Sequence, residues 1–267
     1  MRLADHPIPP SLAGWIERIS RLELAADERM PIFAGARVHL FFCERGGATL
    51  RGADASVFAG EAVCWGPFET AAQIQACPAG ARGWLVKCRG GAGPSIIGGS
   101  TEAITGVVMP LGACWPHLSR EAFASSPAVA LPRIHRDIRQ AIGRGEDHLV
   151  WSPGQCGHVM EMLDRMPVVE VSDRLGVSKA TFERRIRAAF GLTPKRLARI
   201  QRLYRGLALP DASDAGLASS LGYSDQSHFI ADFRELTGMT PGAFRRQGGG
   251  RPDFLSLYDA VDRSHAG

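Results

Sequence analysis

Two kinds of hydrophobic pattern divide this chain. From residue 155 onwards apolar side chains recur every three or four positions. Val159, Met162 and Leu163 form one such stripe, then Phe182, Ile186, Ala189 and Phe190, then Leu197, Ile200, Leu203 and Leu207, and finally Phe229, Phe233 and Leu236. That period predicts amphipathic helices. Upstream the pattern is short and broken by Gly, Ala, Pro and Asp. Val38–Glu44 (VHLFFCE) is the clearest strand, and 49–51, 56–58, 62–65, 71–75 and 83–87 are further strand segments, a spacing that suits a β-sandwich or small barrel. Two helices are expected in this part: Ser11–Ser20, with Leu12, Trp15, Ile16 and Ile19 on one face, and Leu131–Gly143, where Ile134, Ile138 and Ile142 recur. The second could pair with its copy in a dimer or pack on its own domain. A third helix is expected over Pro116–Phe123. The fold class predicted is α+β: a β-rich N-terminal domain followed by an all-α domain.

The helical part is written twice. VSDRLGVS and GLTP (Val171–Pro194) return as LASSLGYS and GMTP (Leu217–Pro241), with Gly176 and Gly222 46 residues apart. Each copy reads as a short helix, a glycine turn, a serine N-cap (Ser178, Ser224), a second helix and a glycine stop (Gly191, Gly238). Thr193–Pro194 opens a connecting helix, Lys195–Leu209, and Thr240–Pro241 opens a last short one. Two helix-turn-helix units joined by a stiff helix is an arrangement that reads duplex DNA.

Charge sharpens that reading. The 267-residue chain has a net charge of +4, and the excess lies in residues 154–247, with 14 Lys/Arg against 10 Asp/Glu. Within it the two copies differ. Residues 168–209 carry ten Lys/Arg against three Asp/Glu, and residues 211–246 carry three against five. A polyanion would therefore be held mainly by the first copy and the connecting helix. In the first copy Ala180, Arg184 and Arg187 lie opposite the apolar stripe, flanked by Lys179, Thr181 and Glu183. Arg184 is the best candidate to bridge guanine O6 and N7. Arg185 lies nearer the core edge, suited to a phosphate or an acidic neighbour. Lys195, Arg196, Arg199, Arg202 and Arg205 follow along the connecting helix as candidates for phosphate contact. In the second copy Gln226, Ser227, His228 and Ala231 are offered to a groove.

Gly222–Arg245 (GYSDQSHFIADFRELTGMTPGAFR), together with the paired units, resembles the DNA-binding domain of the AraC/XylS family of transcription regulators over residues 154–247. The resemblance implies two recognition helices in successive major-groove segments. It places the groove-facing positions on Ser178, Lys179, Ala180, Thr181, Glu183 and Arg184, and on Asp225, Gln226, Ser227, His228 and Ala231. Ala231 departs from the family, which commonly has Arg or Lys there. Arg37–Phe42, Gly83–Val86 and Ile104–Trp115 are similar to a cupin-like sensor domain found ahead of some of these DNA-binding domains. That implies a cupin-like β-barrel of undefined ligand.

The N-terminal part offers little catalytic chemistry. His39 has no histidine two residues away, and it stands about 13 Å from Cys43 along a strand, too far to share a metal. No metal, cofactor or enzymatic activity is expected. His39, Phe41 and Cys43 share one strand face, opposite Val38, Leu40 and Phe42. With Trp65 they are the candidate lining of a small-molecule site, the alternative being ordinary core. Six cysteines (Cys43, Cys64, Cys77, Cys88, Cys114, Cys156) show no paired spacing and read as free thiols. Five lie in the N-terminal part, so a cysteine-based sensor of alkylation, oxidants or soft metals is the second functional reading.

The resulting expectation is a cytoplasmic transcription regulator. It comprises a sensing or dimerising domain (1–130), a connecting helix and linker (131–153), the DNA-binding domain (154–247) and a flexible tail with a short helical pattern (248–267). Its partners would be double-stranded DNA, with RNA polymerase, a small-molecule effector and a second copy as further candidates. No apolar run is long enough to span a bilayer.

Overall fold

The computed structural model describes residues 1–51, 55–118, 123, 126–207 and 214–246. Strands β1 (Arg2–His6), β2 (Ile16–Leu24), β3 (Arg29–Ile32), β4 (His39–Arg51), β5 (Ala55–Phe58), β6 (Ala62–Trp65), β7 (Ala72–Cys88) and β8 (Val108–Pro110) form one antiparallel sheet. Its order is β1-β2-β7-β4-β6-β8, with β3 added on β7 and β5 on β4. The two long strands pair along most of their length and absorb register shifts between Cys43 and Arg45 and between Gly46 and Ala48. Such bulges bend the strand that carries them. At the bend Gly46 has φ 71°, and a Cβ there would sit 1.9 Å from the Gly80 carbonyl oxygen, so only glycine permits the approach.

The predicted segments 71–75 and 83–87 are thus one strand, as are Val38–Glu44 and 49–51. The barrel is a correction: β1 and β8 are opposite edges and do not pair, so the sheet is open. Closure needs both edges to match along their length, and β8 spans three residues. The helix expected over Ser11–Ser20 is also corrected. A single 3₁₀ turn at Pro10–Leu12 is followed by β2. A register shift between Ile16 and Arg18 puts Ile16 opposite Cys88 and Ile19 opposite Val86. Glu17 is the bulged residue, so two apolar residues three apart point the same way and imitate a helical stripe.

Both sheet faces are covered, which is why β4 reads as a nearly continuous apolar run. Leu40, Phe42, Trp84 and Val86 pack with Ile16, Ile19 and the helices α1 (Gly93–Ile97) and α2 (Pro127–Gly145). Leu22, Leu24, Phe41, Cys43, Leu50, Trp65 and Leu85 form the opposite core. Ile134, Ile138 and Ile142 of α2 are buried against this sheet domain, so the apolar face of the helix is spent within its own chain. The helix predicted over Pro116–Phe123 falls largely outside the described residues, as does the tail 248–267.

At the sheet's margin Lys87 lies almost wholly buried. Its Nζ is 2.7 Å from Glu17 Oε1, while Arg37 holds Oε2 at 2.7 Å. Glu17→Gln would leave the ammonium without its carboxylate. We expect a loss of about 2 kcal/mol, below the full cost of breaking a buried pair because Glu17 is partly exposed. Urea denaturation at pH 7 measures it, and an unchanged midpoint would show that Lys87 has adequate partners elsewhere.

The helical part runs α3 (Pro153–Arg165), α4 (Val168–Arg174), α5 (Lys179–Phe190), α6 (Pro194–Leu207), α7 (Asp214–Ser220), α8 (Gln226–Thr237) and α9 (Pro241–Arg246). Ser152 and Gln155 cap α3 reciprocally. The apolar stripes read from the sequence converge in one core, which also takes in Phe33, Ala34 and Ala36 from the loop after β3. Phe33 lies 5.9 Å from the Phe244 ring. Among the described residues no helix is long and apolar enough to cross a membrane.

Candidate nucleic-acid interface

α5 is built as its sequence dictates. Ser178 Oγ accepts from Thr181 N at 3.2 Å, Phe182, Ile186, Ala189 and Phe190 are buried, and Gly191 ends the helix at φ 72°. Ser178, Lys179, Ala180 and Arg184 are exposed, while Thr181 and Glu183 are half-buried. Lys179 approaches Glu183 at 3.9 Å. Arg184, Arg185 and Lys195 form no ion pair among the described residues. Lys179, Ala180 and Arg184 therefore form an exposed face of α5, and the Arg184 guanidinium has no ion pair among the described residues.

Arg187 is different. It turns to Glu102 of the sheet domain at 3.4 Å. Arg196 is likewise taken up by Glu235 at 2.8 Å and by the Glu69 carbonyl oxygen. Thr193 caps α6, accepting from Arg196 N at 3.1 Å. Of the cations expected on the exposed side of α6, Arg199 grips Asp232 and Glu235, Arg202 lies over the Tyr223 ring at 5.5 Å, and Arg205 pairs with Asp164 at 3.1 Å. Lys195 alone of that row is both exposed and without an ion pair among the described residues. Burial pushes the Glu235 carboxyl up, but hydrogen bonds from Arg199 and Arg196 outweigh it and hold the group below its ordinary range.

The second copy departs from the first at its cap. The expected Ser224 is not the N-cap of α8. Asp225 is, accepting from His228 N at 2.8 Å, while Ser224 donates to the Asp225 carboxylate at 3.1 Å. One extra residue between the glycine turn and the helix moves the capping position from serine to aspartate. The backbone bond from His228 holds the Asp225 carboxyl below its usual value, so it is an anion fixed at the helix start. Gln226, Ser227, His228 and Ala231 are exposed, and Phe229 and Phe233 are buried. His228 also contacts Ser224 Oγ through Nδ1 at 3.3 Å.

The four candidate ligand residues lie together. Phe41 and Trp65 line an apolar cavity of about 30 Å³, closed by Leu22, Leu50, Val57 and Ile74 among others. That free space holds about one water-sized group. His39 stacks on Trp65 with ring centroids 5.4 Å apart, and Cys43 is buried in the same core. Among the described residues no group of three or more His, Cys, Asp or Glu is placed to hold a metal ion.

Burial pushes the thiols of Cys43 up to about 11 and of Cys88 and Cys156 up to about 12, so all three are protonated at neutral pH. Cys64 and Cys114 are in contact. The hydrogen bond that Cys64 donates raises its own pKa, and burial adds to this; the same bond lowers that of Cys114 against its burial. Sequence spacing, 50 residues apart, gave no sign of this pair.

Residues 171–247 match the family described as a helix-turn-helix domain. No curated protein sequence matches the chain. Among solved structures, ToxT from Vibrio cholerae is similar at 10% identity over 85% of this chain and 96% of that one, with a TM-score of 0.48. The C-terminal domain of AraT, a response regulator from Geobacillus stearothermophilus, is similar at 21% identity over 34% of this chain and 79% of that one, TM-score 0.31. A DNA-binding transcriptional dual regulator from Escherichia coli K-12 is similar at 24% identity over 36% and 89%, TM-score 0.31. The exposed and capped helix α5 lies within this match, so residues 171–247 are a helix-turn-helix domain.

Proposed function

We propose that the chain binds specific duplex DNA through the N-terminal halves of α5 and α8. In this reading Ser178, Lys179, Ala180, Thr181, Glu183 and Arg184 face one groove segment, and Asp225, Gln226, Ser227 and His228 the next. The observation that carries it is the division of α5 into two faces. One face, Phe182, Ile186, Ala189 and Phe190, is buried in the chain's own core, and the other exposes Lys179, Ala180 and Arg184, with Arg184 in no ion pair among the described residues. Lys195 supplies a phosphate contact. Arg187 and Arg196, engaged with Glu102 and Glu235, serve the frame of the protein more than the groove. Selection of bound duplexes from a random pool, followed by binding titrations at fixed salt, tests the proposal. Retention of no sequence preference would end it.

The N-terminal part, residues 1–130, acts in this reading as the sensor. Its effector site is the apolar interior at Phe41 and Trp65, which admits an apolar molecule only by parting the two halves of the bent sheet. A second copy and RNA polymerase are the further partners proposed. The thiol-based alternative narrows to one pair, because Cys114 is half-buried and is the thiol whose pKa is lowered. We expect maleimide labelling of the native protein to reach Cys77 and Cys114 first and to leave Cys43, Cys88 and Cys156 protected until unfolding. Mass spectrometry of the labelled peptides reads this directly. Protection of Cys114 as complete as that of Cys88 removes the alternative.

A further inference from the structure

The two reading helices end alike, and each is held at that end from outside the helical domain. The last-turn carbonyls of a helix have no partner within it. For α5 they are met by the sheet domain: Thr101 Oγ1 donates to the Ala189 oxygen at 3.0 Å, and Thr105 Oγ1 to the Gly191 oxygen at 2.7 Å. For α8 they are met by two backbone amides: Ala34 N donates to the Leu236 oxygen at 2.8 Å, and Ala71 N to the Glu235 oxygen at 3.2 Å. Ala34 is then bound a second time, its carbonyl accepting from Tyr204 Oη of α6 at 2.8 Å. Thr101, Ala189, Ala34 and Leu236 are buried, so water does not replace these partners. The approach at Gly191 is so close that a Cβ would lie 2.4 Å from Thr105 Oγ1 and 2.8 Å from Pro67.

Within the helical domain α6 packs on both α5 and α8. Contact with one shared helix fixes how far apart two readers lie but resists their swing only through side-chain packing. A second attachment at the end of each reader fixes its direction as well. We infer that the sheet domain is a splint that sets the angle and separation of α5 and α8, with Thr101 and Thr105 as positioning residues for α5. For its consequence on DNA, a preferred spacing between the two groove contacts, the inference rests on the function proposed above. Its geometric part does not.

Spin labels on Ala180→Cys and Ala231→Cys, both exposed reading-face positions, report the separation directly. The full chain is used with Cys77→Ser and Cys114→Ser to confine the labels. The splint predicts a narrow distance distribution that broadens and shifts in Thr101→Val/Thr105→Val and stays narrow in Thr105→Ser, which keeps the hydroxyl. Distributions that superimpose in the first and second proteins overturn it, as does equal broadening by Ser and Val. If the double variant does not fold, Thr105→Val alone carries the comparison, since Thr105 is only half-buried. On selected duplexes, the valine variant should lose roughly tenfold in affinity at the preferred spacing. It should change little on sites with one or two inserted base pairs; parallel losses at every spacing overturn the link to DNA. Failure of the unsubstituted chain to select any duplex sinks the DNA reading, and the distance measurement then decides the splint by itself.

Discussion

Arg199→Ala is expected to lower the stability of the folded protein by about 3 kcal/mol, the scale set by removing one partner of a buried ion pair. Arg199 Nε donates to Asp232 Oδ2 at 2.7 Å, its terminal nitrogens reach Asp232 and Glu235, and Tyr223 Oη donates to Asp232 at 3.2 Å. The Asp232 side chain is only 8% exposed, so losing the guanidinium strands a charge away from water. Arg205→Ala is the control. Its pair with Asp164 is half-exposed on the arginine side, and such pairs contribute about 0–1 kcal/mol. Urea midpoints at pH 7 for the two variants separate the cases, and equal small losses would mean that Asp232 finds adequate solvent or partners. Acid narrows the gap. Glu235 is held below its ordinary 4.5, so its contribution is present above that value and lost as pH falls through its folded pKa.

The second large effect is on binding. Arg184→Ala should weaken specific DNA binding by about 1–3 kcal/mol and relax the preference at one base pair, as removal of a bidentate guanine contact does. Gln226→Ala should cost clearly less, and equal losses would sink the idea that the first reader dominates. Lys195→Ala should act differently, weakening all duplexes alike and lowering the salt slope by about one. The structure changes the reason for this ranking. By count the first copy and connecting helix are strongly basic and the second copy acidic. In three dimensions Asp232 and Glu235 neutralise Arg199 and Arg196, and Asp214 pairs with Arg245 at 2.6 Å. Two acids of the second copy, Asp232 and Glu235, are therefore spent on the connecting helix, and Asp214 on α9, while Asp225 stays exposed at the start of α8. In the proposed reading, what distinguishes the two helices is Arg184, in no ion pair among the described residues, against neutral Gln226 and Ala231.

Local rules made the helical half legible. The 3.6-residue period, the cap at Ser178 and the glycine stops at Gly191 and Gly238 each depend on neighbours a few positions away, and all stand in the structure. The same rules misled where one residue changes the frame. Glu17 in its bulge made a strand resemble a helix, and the extra residue after Gly222 moved a cap from Ser224 to Asp225. They also could not tell a closed barrel from an open sheet, because alternation reports which face a side chain takes and not which edges meet.

By itself, then, the sequence determined the helices α5 and α8, the cap of α5, the glycine stops of both and their apolar faces, because helix formation is governed by contacts along the chain. Tertiary structure alone decided which of ten cations lack an ion pair among the described residues, that Cys64 meets Cys114, and that Thr101, Thr105, Ala34 and Ala71 hold the ends of α5 and α8. Those contacts join residues as far as 202 positions apart, as from Ala34 to Leu236. A backbone amide or a threonine hydroxyl is present almost everywhere in a sequence, and only its position in space makes it a cap for a distant helix.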